Sequence, residues 1–258
     1  MKKPTQNKPL VSVVLPVFKS ERHLEACLKS LLNQSYGNIE IITVVDYLGD
    51  NSLKILRNIR KTDKRLRVYK NLQRYGLAVT LNRAVSLSRG QYIAFMDSTG
   101  IAHKTRISKQ IKHLLNNPKI AAVGSQVGII NSINRRVGES VFPISHEDIY
   151  KDLIGSQSLK FESVTLDKTR LPKDILRFRK DKAYPYVYAD VFMRIGLYKE
   201  IENLNEKLLL IRDLSNKKKQ ALNLEKKLSF IKLLFESTTI YEYKPSLKAL
   251  FTPLIKQV

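Results

Sequence analysis

Val11-Ser12-Val13-Val14-Leu15-Pro16-Val17-Phe18 is a β-branched apolar run closed by a proline, and its reading decides the fold. Such a run reads as a buried strand. Ser20 is placed to cap a following helix, and Glu21 falls in its first turn, where the helix dipole favours an acid. Leu24, Leu28, Leu31 and Leu32 then recur at helical spacing, with Arg22, Glu25 and Lys29 off that face. A second apolar run, 39–45, ends at Asp46 and a Gly49-Asp50-Asn51 turn, and a helix is expected from Ser52 to about Lys61. A strand near 66–69 follows, then a helix opened by Gly76, then a strand over 92–96 that abuts Asp97. Strands alternating with helical segments predict a parallel-rich sheet covered on both faces. Ligands of such sheets sit beyond the carboxyl ends of the strands, where Pro16-Val17-Phe18, Asp46 and Asp97 all fall.

Downstream, 104–116 reads as helix, 120–130 as extended and 135–142 as its hairpin partner. Residues 190–198 read as helix and 208–211 as a short buried strand, while 145–185 carries no clear pattern. The 258 residues hold 46 Lys plus Arg against 23 Asp plus Glu, a net charge of +23. That balance favours an anionic partner and says nothing of fold. A single cysteine, Cys27, excludes an internal disulfide or a multi-cysteine metal site and suits a reducing compartment. Pro16 closes the first apolar run too early for a secretory signal, and no apolar stretch reaches the roughly 20 residues of a membrane span. The expected location is cytoplasmic, with any membrane contact peripheral on the inner face.

Residues 11 to about 128 resemble the nucleotide-binding half of the family 2 glycosyltransferases with the GT-A fold. The opening run with Glu21 and Leu24 carries the likeness, as do Leu28-Lys29-Ser30-Leu31-Leu32-Asn33-Gln34-Ser35-Tyr36 and Glu40-Ile41-Ile42. Gly76-Leu77-Ala78, Leu81-Asn82-Arg83-Ala84, Gly90-Gln91-Tyr92-Ile93-Ala94 and Met96-Asp97 follow in the family's order. Arg106-Ile107, Lys109-Gln110, Asn117-Pro118 and Val123-Gly124-Ser125 resemble the subgroup that builds bacterial surface polysaccharides. The resemblance implies an α/β, three-layer, Rossmann-like GT-A fold with a mostly parallel sheet. A transferase domain would span 9–213, its nucleotide-binding half about 9–130 and its acceptor half about 131–213. A basic amphipathic helical tail over 214–258 would extend it. The implied reaction moves a sugar from a nucleotide-diphosphate donor to a polysaccharide or lipid-linked acceptor.

Carried over residue by residue, Pro16, Val17 and Phe18 would line the base pocket, with Glu21 and Asp46 nearby and Asn82, Asp97 and Ser98 completing the donor site. Asp97 would be the first acid of the D-x-D motif that holds Mg²⁺ or Mn²⁺ against the leaving diphosphate. The chain departs from the pattern in three places. Val45-Asp46-Tyr47-Leu48 keeps one acid of the usual two, and Asp97-Ser98-Thr99-Gly100 lacks the acids expected at 99 and 100. The helix that should carry the catalytic base reads Val187-Tyr188-Ala189-Asp190, leaving Asp190 as the candidate base one turn along. Two alternatives follow: basic side chains, with Arg74, Arg83 and Arg106 as candidates, replace the metal, or the domain is a non-catalytic scaffold or binding partner at a membrane surface.

Nine Lys or Arg between 54 and 74 face Asp63 alone, a run read as a solvated face or as a contact for anionic lipid, a polyprenyl-phosphate acceptor or acidic glycan. Ala221, Leu224, Leu228, Ile231 and Phe235 repeat at helical spacing within a lysine-rich tail, suited to a membrane surface or to packing on the domain. Aromatics are not interleaved with the basic run, which argues against nucleic acid. His146-Glu147 opens an H-E-x-x-H pattern that Tyr150 fails to close, and His23, His103 and His113 show no ligand spacing.

Overall fold

The computed structural model describes residues 8–213 and 224–255, with side chains described to 251. The first half follows the expected alternation. Strand β1 (Val11–Val17) leads to helix α1 (Glu21–Leu32), β2 (Ile39–Val45) to α2 (Ser52–Thr62), β3 (Leu66–Lys70) to α3 (Leu77–Ser86), and β4 (Tyr92–Phe95) follows. β2 pairs in parallel with both β1 and β3, and β1 in parallel with β4. Alternate residues of β1 feed opposite layers, as strand pleating requires: Val11, Val13, Leu15 and Val17 pack with α1, while Val14 joins the core on the other side.

The second half adds short antiparallel ladders to a sheet whose longest ladders stay parallel. After β5 (Ile101–Ala102) and α4 (Arg106–Asn116) come β6 (Ile120–Ile130), β7 (Arg136–Ser140), α5 (His146–Lys151), β8 (Thr165–Asp167), α6 (Tyr186–Gly196) and β9 (Glu200–Arg212). The sheet runs β3-β2-β1-β4-β8-β6-β9-β5, with β7 beside β6. The three-residue β8 is antiparallel to both β4 and β6, and it lies in the stretch that showed no sequence pattern. β6 and β9 pair in parallel, and β7 forms the expected antiparallel partner of β6. β9 is far longer than the expected 208–211 because its first half carries polar residues. One of them, Asn203, is buried and donates to the carbonyls of Pro143 and Ser158.

Helices α7 (Leu224–Ile240) and α8 (Leu247–Ile255) close the described chain. Phe230, Leu233, Tyr241, Tyr243 and Ala249 join the core that includes α6. Lys217, Lys218, Lys219 and Ala221 of the expected tail helix lie outside the described residues.

Candidate donor site at the carboxyl ends of β1, β2 and β4

The chain leaves β1 through Lys19, whose φ of 48° lies in the left-handed region and turns it sharply into α1. Val17 is buried and Phe18 is exposed at this bend. The Phe18 ring meets Tyr47, just beyond β2, edge-on with centroids 5.5 Å apart. Lys19 Nζ lies 5.2 Å from the Tyr47 centroid, and the Arg74 guanidinium carbon lies 4.7 Å from that of Phe18. Two rings with two cations over them offer a stacking and anion-attracting surface. Tyr47 and Lys19 escaped the sequence reading, since only the acids of that turn were sought.

Asp46 is 5% exposed and fully engaged. Its Oδ1 accepts from Asn71 Nδ2 at 2.6 Å and Tyr75 N at 2.9 Å, and its Oδ2 from Gly76 N at 2.7 Å. Gly76 has φ 85°, so the turn into α3 depends on glycine at the point where Asp46 grips it. Glu21 accepts from the backbone and side-chain nitrogens of Asn51 at 2.8 and 3.1 Å, joining the starts of α1 and α2. Ser20 does not cap α1 with its side chain; its hydroxyl lies 2.6 Å from that of Ser98 and bridges the β1 and β4 turns.

Asp97 Oδ1 accepts from the Thr99 nitrogen at 2.6 Å and hydroxyl at 2.5 Å. Its carbonyl accepts from Cys27 Sγ at 3.4 Å, and burial pushes that thiol far above its ordinary value. Arg212, at the end of β9, donates from Nε to the Thr99 carbonyl at 3.2 Å. One turn before Cys27, His23 is held below its ordinary value by burial, then by the charges of Arg212 and Arg22, against the pull of Asp97. His23 and Arg212 thus border the turn that lacks two acids, with Arg22 next to His23 in sequence and Arg212 also donating to Asn131 O and Asn134 Oδ1; the sequence reading had set His23 aside.

Asp97, expected to hold Mg²⁺ or Mn²⁺, spends Oδ1 on Thr99 and has no second carboxylate beside it in the turn. The described residues contain no group of three or more His, Cys, Asp or Glu placed to hold a metal ion. One expected role is corrected. Asp190 was expected to be the base, yet it is 0% exposed. Its Oδ2 lies 2.9 Å from Arg194 and 3.6 Å from Arg179, with the Tyr241 hydroxyl 3.5 Å from Oδ1. It ties α6 to the 178–180 loop and to the segment after α7, away from solvent.

Asn82 likewise has an internal task, exchanging two 2.8 Å hydrogen bonds with the backbone of Phe178. Of the arginines considered as metal substitutes, only Arg74 lies against the aromatic pair. Arg83 donates to Lys70 O and Asn71. Arg106 is fully buried, donates to the Phe95 and Glu162 carbonyls, and is pushed down to about 10 by burial. Part of the 54–74 basic run is also structural: Arg65 pairs with Asp63, and Arg67 with buried Glu40. Burial favours the neutral form of Glu40, but hydrogen bonds from Ser12, Arg89 and Arg67 outweigh it and lower its pKa.

Val187 stands one turn before Asp190, where the missing acid was expected, and its neighbour Tyr188 is fully buried. Its hydroxyl is pushed well above the ordinary value by burial, then by the charge of Glu162, with Tyr184 and Asp97 adding. Glu162 is a buried carboxylate with Oε2 3.1 Å from Lys160 Nζ. It falls in the stretch that carried no sequence pattern.

Residues 12–174 match the family model for glycosyl transferase family 2. The chain belongs to that family. An uncharacterized glycosyltransferase of Haemophilus influenzae is 28% identical over 246 residues, 92% of this chain and 75% of its own length. The UDP-Glc:alpha-D-GlcNAc-diphosphoundecaprenol beta-1,3-glucosyltransferase WfgD of Escherichia coli is 28% identical over 193 residues, 74% of this chain and 70% of its own. The S. aureus TarS 1-349 structure in complex with UDP-GlcNAc superposes with a TM-score of 0.68 at 16% identity, covering 94% of this chain and 69% of that one. The last likeness shows the GT-A fold, and family membership makes the chain a glycosyltransferase.

Proposed function

We propose that this family 2 glycosyltransferase moves a sugar from a nucleoside-diphosphate donor to a lipid-linked or polysaccharide acceptor in cell-surface glycan synthesis, working in the cytoplasm against the membrane that holds the acceptor. The observation that carries the reading is the Phe18–Tyr47 pair, flanked by Lys19 and Arg74, at the carboxyl ends of β1 and β2. The base stacks there. Pro16, Val17, Glu21 and Asp46 shape the pocket behind it, and Ser98 and Asp97 face the diphosphate. The leaving diphosphate's charge is met by Arg22, His23, Arg74 and Arg212 in place of a carboxylate-held Mg²⁺ or Mn²⁺. The acceptor hydroxyl attacks the anomeric carbon, the bond to the diphosphate breaks, and the proton passes to a carboxylate. Asp190 is not that group, since it keeps its place as the internal partner of Arg179 and Arg194.

Calorimetry with UDP, GDP and TDP sugars, with Mn²⁺ and with EDTA, tests the reading. One nucleotide sugar is expected to bind in both solutions and to be turned over when acceptor is present. Failure of all three to bind refutes the donor site. The lone acid of the Asp97 turn favours a second reading, a binding domain without catalysis, which predicts tight binding and no turnover of any acceptor.

A further inference from the structure

Helix α7 is apolar on two opposite faces and buries one of them. Ser229, Phe230, Leu233 and Ser237 are buried on the side that packs with α6. Leu224, Leu228, Ile231 and Phe235, spaced 4, 3 and 4 apart, stand 69, 58, 61 and 68% exposed. At about 100° per residue these four form a single narrow stripe, roughly opposite the buried set. The same spacing places Lys227 and Lys232 on either side of the stripe; both are exposed, and Lys232 is ion-paired with Asp181. α8 also exposes Leu247 and Phe251 at i and i+4, while Ala249 is buried. Scattered exposed apolar side chains need no explanation, but an ordered stripe of four does.

We propose that the outer face of α7 docks this enzyme on an anionic lipid surface. Among the described residues no helix is long and apolar enough to cross a membrane, so the contact is interfacial. Charge selects the occupant: the chain carries +23, lysines flank the stripe, and Lys217, Lys218 and Lys219 precede it in sequence. A stripe of Leu, Ile and Phe bordered by Lys is the pattern that sinks into the headgroup boundary of a charged bilayer. A second copy of a chain this basic would bring like charge against like charge across the same face. The inference deepens the proposed function, since a lipid-linked acceptor holds its sugar at that boundary.

The test is flotation of the full chain with vesicles of phosphatidylcholine alone and of phosphatidylcholine mixed with phosphatidylglycerol. Binding to the anionic vesicles is expected, weakened by salt, with little binding to the neutral ones. The triple variant Leu228→Glu, Ile231→Glu, Phe235→Glu is expected to lose at least about tenfold in vesicle affinity while keeping its nucleotide affinity and thermal transition. Because the three side chains are exposed, the variant folds; Lys227→Glu, milder still, is expected to weaken only the anionic preference. Unchanged flotation of the triple variant overturns the proposal. A dimer in sedimentation velocity that the triple variant dissociates also overturns it, in favour of a second copy. Vesicle binding without any nucleotide binding would refute the donor site and leave the docking face intact.

Discussion

The turns after β2 and β4 begin alike, with an aspartate at the carboxyl end of a parallel strand. Asp46 is enclosed and satisfied by Asn71, Tyr75 and Gly76, so it works as an internal clamp on the loop that opens α3. Asp97 uses one oxygen on Thr99, and among the described residues no hydrogen bond or ion pair occupies the other. Its surroundings include His23, whose charged form Asp97 favours against burial, Arg212 and Arg22, and, through Thr99, Arg212. Position at a strand end marks both residues as candidates. What each carboxylate is hydrogen-bonded to separates clamp from binding group.

The largest expected effect that tests this contrast is on stability. Asp46→Ala leaves one side-chain amide and two backbone N–H groups without their acceptor and is expected to cost about 3 kcal/mol in urea unfolding. Asp97→Ala is expected to cost under about 1 kcal/mol in the same experiment yet lower sugar transfer about 100-fold. Equal stability losses in the two variants would erase the distinction.

Gly76→Ala is a finer probe of the clamp. A Cβ there meets no atom within 4 Å, so the cost is that of a backbone conformation (φ 85°, ψ 172°) open essentially to glycine alone, about 1–3 kcal/mol. Thr99→Asp restores the second acid beside Asp97. It is expected to make donor affinity rise several-fold with Mn²⁺, read by calorimetry, where the parent shows no such rise.

The smallest effect is with pH. His23 titrates below 6.5 in the free protein, under burial, Arg212 and Arg22, with Asp97 opposing. A bound diphosphate adds negative charge and raises that value, so binding takes up a proton. UDP affinity is therefore expected to rise modestly as pH falls below about 6.5, and His23→Gln to flatten the profile. A profile that steepens in the variant would remove His23 from the site.

The first four strands and three helices could be read from the sequence because their apolar periods are local and unbroken. β8 and the first half of β9 could not. β8 is three residues long, and the polar residues of β9 are satisfied by carbonyls distant in sequence, so neither leaves an alternating pattern. The site divides in the same way. Phe18, Asp46 and Asp97 were visible as strand-end residues, whereas Tyr47, Lys19, His23 and Arg212 were not, because no motif of acids includes them. Asp190 looked like a displaced base because helical spacing reports a face without saying what covers it. Arg179, Arg194 and Tyr241 cover it.

By itself the sequence determined the alternating half of the sheet, the family and the loss of four acids, since each depends on residue type at short spacing. Tertiary structure alone decided which surviving carboxylates are buried and which cations lie near the Asp97 turn. It also decided which apolar face of the tail helix stays bare. Many of the contacts behind those outcomes join residues distant in sequence, such as Asp46 with Asn71 and Arg212 with Thr99, and no local pattern records which of two equivalent groups the fold will bury.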